Sequence, residues 1–287
     1  MRPLVELKKD FQVVEGLGDI IDVFKMASVI QFRVFSARRK PPQDFALELA
    51  AAIACVREQL GHRGLRSPFF DGVDGLPSVV VVLCSEEGFM GEMNTLLINA
   101  ALDCRTSPKD ELLVLGERGA RYLEEMRKEF DFFPGLTDDL YFGEAARLRD
   151  HLWAGYGSRF GRVTVVYPHF VSLTVQKVKV VPLLPLSAKE VPARPDKALF
   201  RDLLTEPDAG TLVASLAKLM AGQALFDIFW STKLAEYAAR IMNLESSGQE
   251  LAHLKEGFSR EYFRQVHMVR DRVIREITAS RLLERKR

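Results

Sequence analysis

The sequence predicts an α/β chain, with a small Rossmann-like, mainly parallel α/β domain flanked by long N- and C-terminal helices that form an antiparallel coiled coil. Proline placement is the first sign. No proline lies between Pro3 and Pro41, and none follows Pro207. A proline inside a helix costs ~3 kcal/mol, so these gaps permit long helices at both ends. Apolar residues there recur at three- and four-residue spacing, the mark of a helix with one apolar face. The middle instead carries short β-branched runs separated by helical stretches, the order expected of a parallel sheet with crossover helices.

The N-terminal stripe runs through Val13, Leu17, Ile20, Phe24 and Ala27 and resumes at Val34. Gly16 and Gly18 weaken it locally. Pro41-Pro42 predicts a kink, because the residue before a proline avoids the α region. Residues 43–60 are again helical in composition, so 1–60 reads as the N-terminal coiled-coil segment.

In the middle, residues 76–195, Ser78–Cys84 is a buried strand. A turn at Ser85–Gly88 leads to a helix from about Glu92 to Cys104. Leu112–Leu115 is a second strand, and Gly116 opens a helix to about Phe130. A further helix spans Leu140–Ala154, Arg162–Tyr167 is a third strand, and Val171–Leu186 holds one or two more. Pro182, Pro185, Pro192 and Pro195 mark an exit linker.

The segment 206–287 opens at Glu206-Pro207-Asp208, with proline early and acids at the positive helix end. Its stripe passes through Leu212, Leu216, Leu219, Phe226, Trp230, Leu234, Tyr237, Ile241 and Leu244. It continues through Leu251, Leu254, Phe258, Tyr262, Val266, Val269, Val273 and Ile277. One helix of this length measures on the order of 120 Å, wider than a globular domain of ~290 residues. It needs a partner for its stripe, and the N-terminal helix is the obvious one.

Composition excludes several functions. The 287 residues are 47% hydrophobic, room for one large domain or two smaller ones. Lys+Arg number 40 against 39 Asp+Glu, and a net charge of +1 argues against a nucleic-acid binder. No apolar run approaches the ~20 residues of a membrane span. The opening MRPLVELKKDFQ has no apolar core of a secretory signal. Cys55, Cys84 and Cys104 form no CxxC pair and read as reduced thiols of a cytosolic protein. His62, His151, His169, His253 and His267 show no tight metal spacing, so neither metal nor cofactor is expected.

Catalytic motifs are weak. Gly116-Glu117-Arg118-Gly119 sits where a helix N-terminus can hold an anion, but GxGxxG and GxxxxGK[ST] are both missing, and it reads as a structural turn. Glu86, Glu87 and Glu92 form an acidic loop after a strand, more simply exposed than catalytic. Ser85 lacks the GxSxG elbow of a nucleophile. The cluster Arg33, Arg38, Arg39, Lys40 reads first as a solvated helix face.

Several stretches, in order, resemble one family. Lys25-Met26-Ala27-Ser28 with Phe32-Arg33 is similar to its KAMKMVAASKLR helix. Residues 85–94, with Gly88, Gly91 and Asn94, resemble S-D-R-G-L-C-G-G-x-N. Leu115–Gly119 resembles I-G-x-K/R-G. Tyr167–Val171, Gln176 and Leu183–Leu186 resemble Y-N-K-F-x-N, Q and LLPL. Glu206-Pro207-Asp208 resembles its EP-D/S entry, and Glu236–Met242, with Arg240, resembles E-x-A-A-R-M. Arg264-Gln265 matches the RQ of K-A-R-Q-x-x-I-T-x-E-L. The family is the gamma subunit of F-type ATP synthases. Each motif is weak alone; in sequence along the whole chain they are specific. Ser247-Gly248-Gln249-Glu250 replaces the family's T-D-N-A, Met268–Arg272 replaces its I-T-x-E-L, and Leu282–Arg287 replaces its small apolar tail. The chain therefore resembles a divergent gamma, with an alternative F-type ATPase as one setting.

The resemblance implies a non-catalytic rotor stalk that couples transmembrane ion flow to ATP synthesis or hydrolysis by turning within a ring of alpha and beta subunits. Its other partners would be an epsilon-type subunit and the membrane c-ring, with no nucleic acid and no membrane span of its own. It would be peripheral, at the cytoplasmic face of the cell membrane. Lys25, Met26, Arg33, Arg264 and Gln265 are the residues it assigns to catalytic-subunit contact, and Gly88, Gly91, Asn94, Glu236 and Arg240 to structural motifs. Two alternatives stay open: a coiled-coil interaction protein derived from gamma, and a small-molecule enzyme on the α/β domain. The enzyme predicts a convergent polar pocket at the carboxyl ends of the strands.

Overall fold

Alternation along the valine run explains why a sheet forms with two covered faces. Successive strand residues point to opposite sides, and in β1 (Ser78–Leu83) Val79, Val81 and Leu83 enter one core while Val80 and Val82 enter another. The computed structural model describes residues 4–37, 43–62, 67–136, 142–186, 206 and 208–284. The expected kink at Pro41-Pro42, Pro192 and Pro195 of the expected linker, and Arg285–Arg287 lie outside these residues.

The remaining elements are helices α1 (Leu4–Ala37), α2 (Gln43–His62), α3 (Pro68–Asp71), α4 (Met93–Asp103), α5 (Glu117–Glu125), α6 (Phe142–Gly155) and α7 (Ala209–Glu284), and strands β2 (Glu111–Leu115), β3 (Asp131–Phe133), β4 (Arg162–Phe170) and β5 (Gln176–Leu184). The strand order is β3-β2-β1-β4-β5, parallel except for β5. Helices α4 and α5 cover one face through Leu97, Ile98 and Leu123. The other face carries α2, α6 and α7 through Ile53, Leu148, Leu152, Leu225 and Phe229, with Phe35 of α1.

The chain divides into two compact units, residues 1–30 with 241–287, and residues 31–240. The second holds the sheet. Its part of α7 is buried on nearly all sides from Ala221 to Arg240, as an internal helix must be if it is apolar all round. Over 18 residues α7 reaches the apolarity of a membrane span, and half of that stretch is buried inside the fold.

Several sequence expectations change here. Within the segment expected to form the N-terminal coiled coil, α2 belongs to the sheet-bearing core through Leu49 and Ile53. The helix expected to reach Phe130 stops at Glu125, because Arg127 adopts a left-handed φ of 53° and the chain turns into β3. Pro182 lies within β5 rather than in a linker; it sits on the edge strand beside a bulge at Val163/Thr164, where a missing N–H is tolerated. Pro168 is accommodated in β4 because pairing with β1 ends at Val166.

Asp110 ties the start of the sheet together. Its carboxylate accepts the N–H groups of Ser78, Thr106 and Ser107, each at 2.8 Å, and the Thr106 hydroxyl at 3.1 Å. Burial pushes its pKa up, but these bonds more than offset burial and hold it below the ordinary value. Its contribution is complete above the unfolded carboxylate pKa of ~3.9 and is lost as pH falls through the lower folded value. Asp110→Asn should therefore cost about 1–3 kcal/mol at neutral pH. Urea denaturation from about pH 7 to 2 should show the two stabilities converging on the acid side.

Candidate functional site

The loop after β1 is where an open α/β sheet would place a ligand, since β1 and β4 flank the point at which strand order reverses. Its geometry is set from within. The Asn94 side chain accepts the Ser85 N–H at 3.1 Å and donates to the Ser85 hydroxyl at 2.9 Å. That hydroxyl donates to the Glu87 carbonyl at 2.7 Å. Gly91 takes φ 57°, a conformation that favours glycine. A Cβ on Gly88 would lie 3.1 Å from the Arg118 guanidinium.

Gly116 and Gly119 are needed by the adjoining turn. Gly116 has φ 95°, and a Cβ there would sit 2.2 Å from the Cys84 carbonyl. One on Gly119 would meet the Cys84 sulfur at 2.5 Å. The N-terminus of α5 is already occupied: the Glu117 N–H donates to Glu86 and the Arg118 N–H to the Ser85 carbonyl, both at 3.1 Å. The turn is thus an internal cap, in which Glu86 fills the place an anion would take.

Helix α7 is fastened across the ends of β1 and β4, and a cavity of about 310 Å³ lined by Tyr167, His169, Asp227 and Ser231 remains beside it. Arg240 donates from Nε to the Gly88 carbonyl at 3.3 Å and pairs with Glu87 at 3.0 Å. It lies 4.0 Å from Glu236, which also pairs with Lys233 at 3.1 Å. Lys233, Glu236 and Arg240 are all buried, and Tyr237 lies 5.8 and 6.0 Å from the two cations, within cation–π range. Burial, reinforced by the Glu236 charge, pushes the Cys84 thiol up to about 12, so it stays protonated. Nine residues before Arg240 on α7, the Ser231 hydroxyl accepts the Phe170 N–H at 3.0 Å and hydrogen-bonds His169 at 3.0 Å. The sites predicted separately at Gly88, Asn94, Glu236 and Arg240 thus form one clamp between the loop and α7. Glu87, Lys233 and Ser231 complete it and were not singled out for it; the acidic loop was the available signal for Glu87.

The terminal-helix residues are placed differently. Lys25 is half-buried and pairs with Asp22 at 2.9 Å and Glu245 at 3.3 Å, and those hydrogen bonds, Asp22 first, raise its pKa. Met26 is 62% exposed, and Arg33 and Arg264 are exposed. Gln265, in contrast, is only 9% exposed. Arg38, Arg39 and Lys40 lie outside the described residues.

The two helices of the first unit run antiparallel. Lys25 meets Glu245 and Glu15 meets Lys255, so ten positions forward on α1 match ten backward on α7. The seam on α1 is Leu7, Phe11, Val14, Gly18, Ile21, Lys25 and Ser28, a heptad spacing in which Leu7 and Ser28 are buried and the others half-buried. The stripe expected to form the seam is instead exposed at Val13, Leu17, Ile20 and Phe24. It lies one position to the side of the true seam, and its greater apolarity is what made it conspicuous.

These features define a two-helix unit and an α/β body whose strand ends are fastened to its own part of α7. The ATP synthase family model matches residues 3–276, and the chain belongs to that family. Its relatives are ATP synthase gamma chains. That of Chlorobium phaeobacteroides is 23% identical over 88% of this chain and 89% of its own, and that of Corynebacterium urealyticum 24% identical over 91% and 90%. The gamma chain of Clostridium acetobutylicum is 26% identical over 64% of each chain. The gamma chain is a non-catalytic subunit of the ATP synthase complex. The fold matches a chain of the Euglena gracilis mitochondrial ATP synthase rotor, with a TM-score of 0.67, 15% identity, and coverage of 93% of this chain and 98% of that one. A chain in a structure of the same enzyme in another rotational state gives a TM-score of 0.72 at 15% identity, over 96% of this chain and 93% of that one.

Removing Arg240 takes one of two cations from the buried Glu236, which keeps Lys233, and leaves the Gly88 carbonyl without its guanidinium donor. Arg240→Ala should therefore destabilise by about 1–3 kcal/mol. Glu87→Ala should cost about 1 kcal/mol or less, because Glu87 is exposed and its pair is screened by solvent. Urea denaturation of both variants measures the difference.

Proposed function

We propose that this chain is the central rotor stalk of a rotary F-type ATP synthase, coupling transmembrane ion flow to ATP synthesis or hydrolysis in a surrounding alpha/beta ring. The observation that supports it best is the apolar stripe Val13, Leu17, Ile20 and Phe24, exposed on a helix already paired along another face. Such a stripe needs a second covering surface, and an enclosing ring supplies one. The clamp at Arg240 fits the same role, because it fixes the α/β body to the helix that would carry torque.

On this proposal the partners are alpha and beta subunits around the terminal helices, with an epsilon-type subunit and the membrane c-ring at the α/β body. The complex would place the chain peripherally at the cytoplasmic face of the cell membrane. Met26, Arg33 and Arg264, all exposed, are the candidates for direct contact with the ring. Lys25 and Gln265 would act chiefly by holding the helix pair, given the Lys25–Glu245 bond and the burial of Gln265.

Affinity purification of the tagged chain should recover alpha- and beta-type ATPase subunits; recovery of other proteins without them would favour a coiled-coil interaction protein derived from gamma. In the reconstituted head, Arg264→Ala should lower coupled ATP turnover more than Gln265→Ala lowers it at matched stability. Equal turnover to the parent in both variants would remove these residues from the contact.

A further inference from the structure

We propose that residues 14–25 of α1 and 245–257 of α7 form a compliant joint in the two-helix unit, a stretch that bends and unwinds more readily than the helix leading into it. Three independent features of the unit coincide there.

The first is the choice of residues. Gly16 and Gly18 lie on α1, and Gly248 and Gly257 on α7. Glycine is the poorest helix former after proline. Packing does not demand it: a Cβ on Gly16, Gly18 or Gly257 would meet nothing within 4 Å, and one on Gly248 would meet only Ile21 at an ordinary 3.7 Å. None of the four takes a left-handed φ. Gly222, elsewhere in α7, differs, since a Cβ there would crowd Arg149 at 3.2 Å. Ser246 and Ser247 precede Gly248, and Gly/Ser pairs are where helices bend.

The second is the seam. Between Leu7 and Ser28 on α1, and between Leu244 and Gln265 on α7, no residue is fully buried. Charged and polar side chains, among them Glu15, Asp19, Lys25 and Gln249, share the gap between the helices with apolar ones such as Val14 and Leu251, and side-chain packing leaves a cleft of about 350 Å³ unfilled. The third is the fastening. Lys25–Glu245 and Glu15–Lys255 bracket a window of ~15 Å of helix. All four partners are partly exposed, and such pairs hold weakly and yield to salt. Helical stability in proteins comes mostly from packing of an apolar face. Where that packing thins and glycines gather on both strands, the pair has its lowest resistance to bending and twisting.

The joint is a property of the helix pair alone, whether or not the chain turns within a ring. Hydrogen exchange of the full isolated chain, followed by mass spectrometry, tests it. Amides of 14–25 and 246–257 should exchange faster than those of 233–240 in the same α7. Gly16→Ala/Gly18→Ala/Gly248→Ala should slow exchange in the window by about fivefold or more, the equivalent of ~1 kcal/mol, and leave β1 unchanged. Gly257→Ala alone provides a second, milder variant and should slow exchange around its own position. Protection of the window equal to that of 233–240, or unchanged exchange in both variants, would overturn the proposal.

Discussion

Arg240 is the group on which the sheet-bearing unit depends, because it is a cation that the fold has taken out of water. Its guanidinium is satisfied from three directions, by the Gly88 carbonyl, by Glu87 and by Glu236. A buried charge tolerates no loose geometry. The loop after β1 must therefore hold its carbonyl and carboxylate in place, which explains the internal bonding of Ser85, Glu87 and Asn94. The same demand fixes α7 against the ends of β1 and β4, where Ser231 and Phe170 add a neutral contact. Part of the place that open α/β sheets use for ligands is consequently spent on attachment.

The sheet was legible because its strands obey a short-range rule. Within Ser78–Leu83 the four central residues are all valine, β-branched, and such strands need cover on both faces. Strand β3 was not legible: Asp131 and Phe132 are exposed on a sheet edge, so nothing in their polarity announces a strand. The clamp was visible only as fragments. Gly88 and Arg240 are 152 positions apart, and no local pattern says that they touch.

The terminal helices show a different limit. Sequence periodicity finds the most apolar face of a helix but does not say what covers it. On α1 that face is Val13, Leu17, Ile20 and Phe24, whereas the seam to α7 includes Gly18, Lys25 and Ser28. A weakly apolar seam beside a strongly apolar exposed face is the arrangement expected when a helix pair is completed by other molecules. The altered residues at 247–250, a departure from the family pattern, fall on the thinly packed part of that seam.

Lys25 on the seam has one more effect. Purely apolar helix pairs tolerate sliding by a whole heptad, since one greasy layer suits another. Sliding this pair by seven residues would set Lys25 opposite Ala252 and Glu15 opposite Tyr262, breaking both salt bridges. The two ends of the chain, separated by the entire α/β body in sequence, thus carry their own alignment marks. Fidelity of assembly comes from polar residues that contribute little to adhesion.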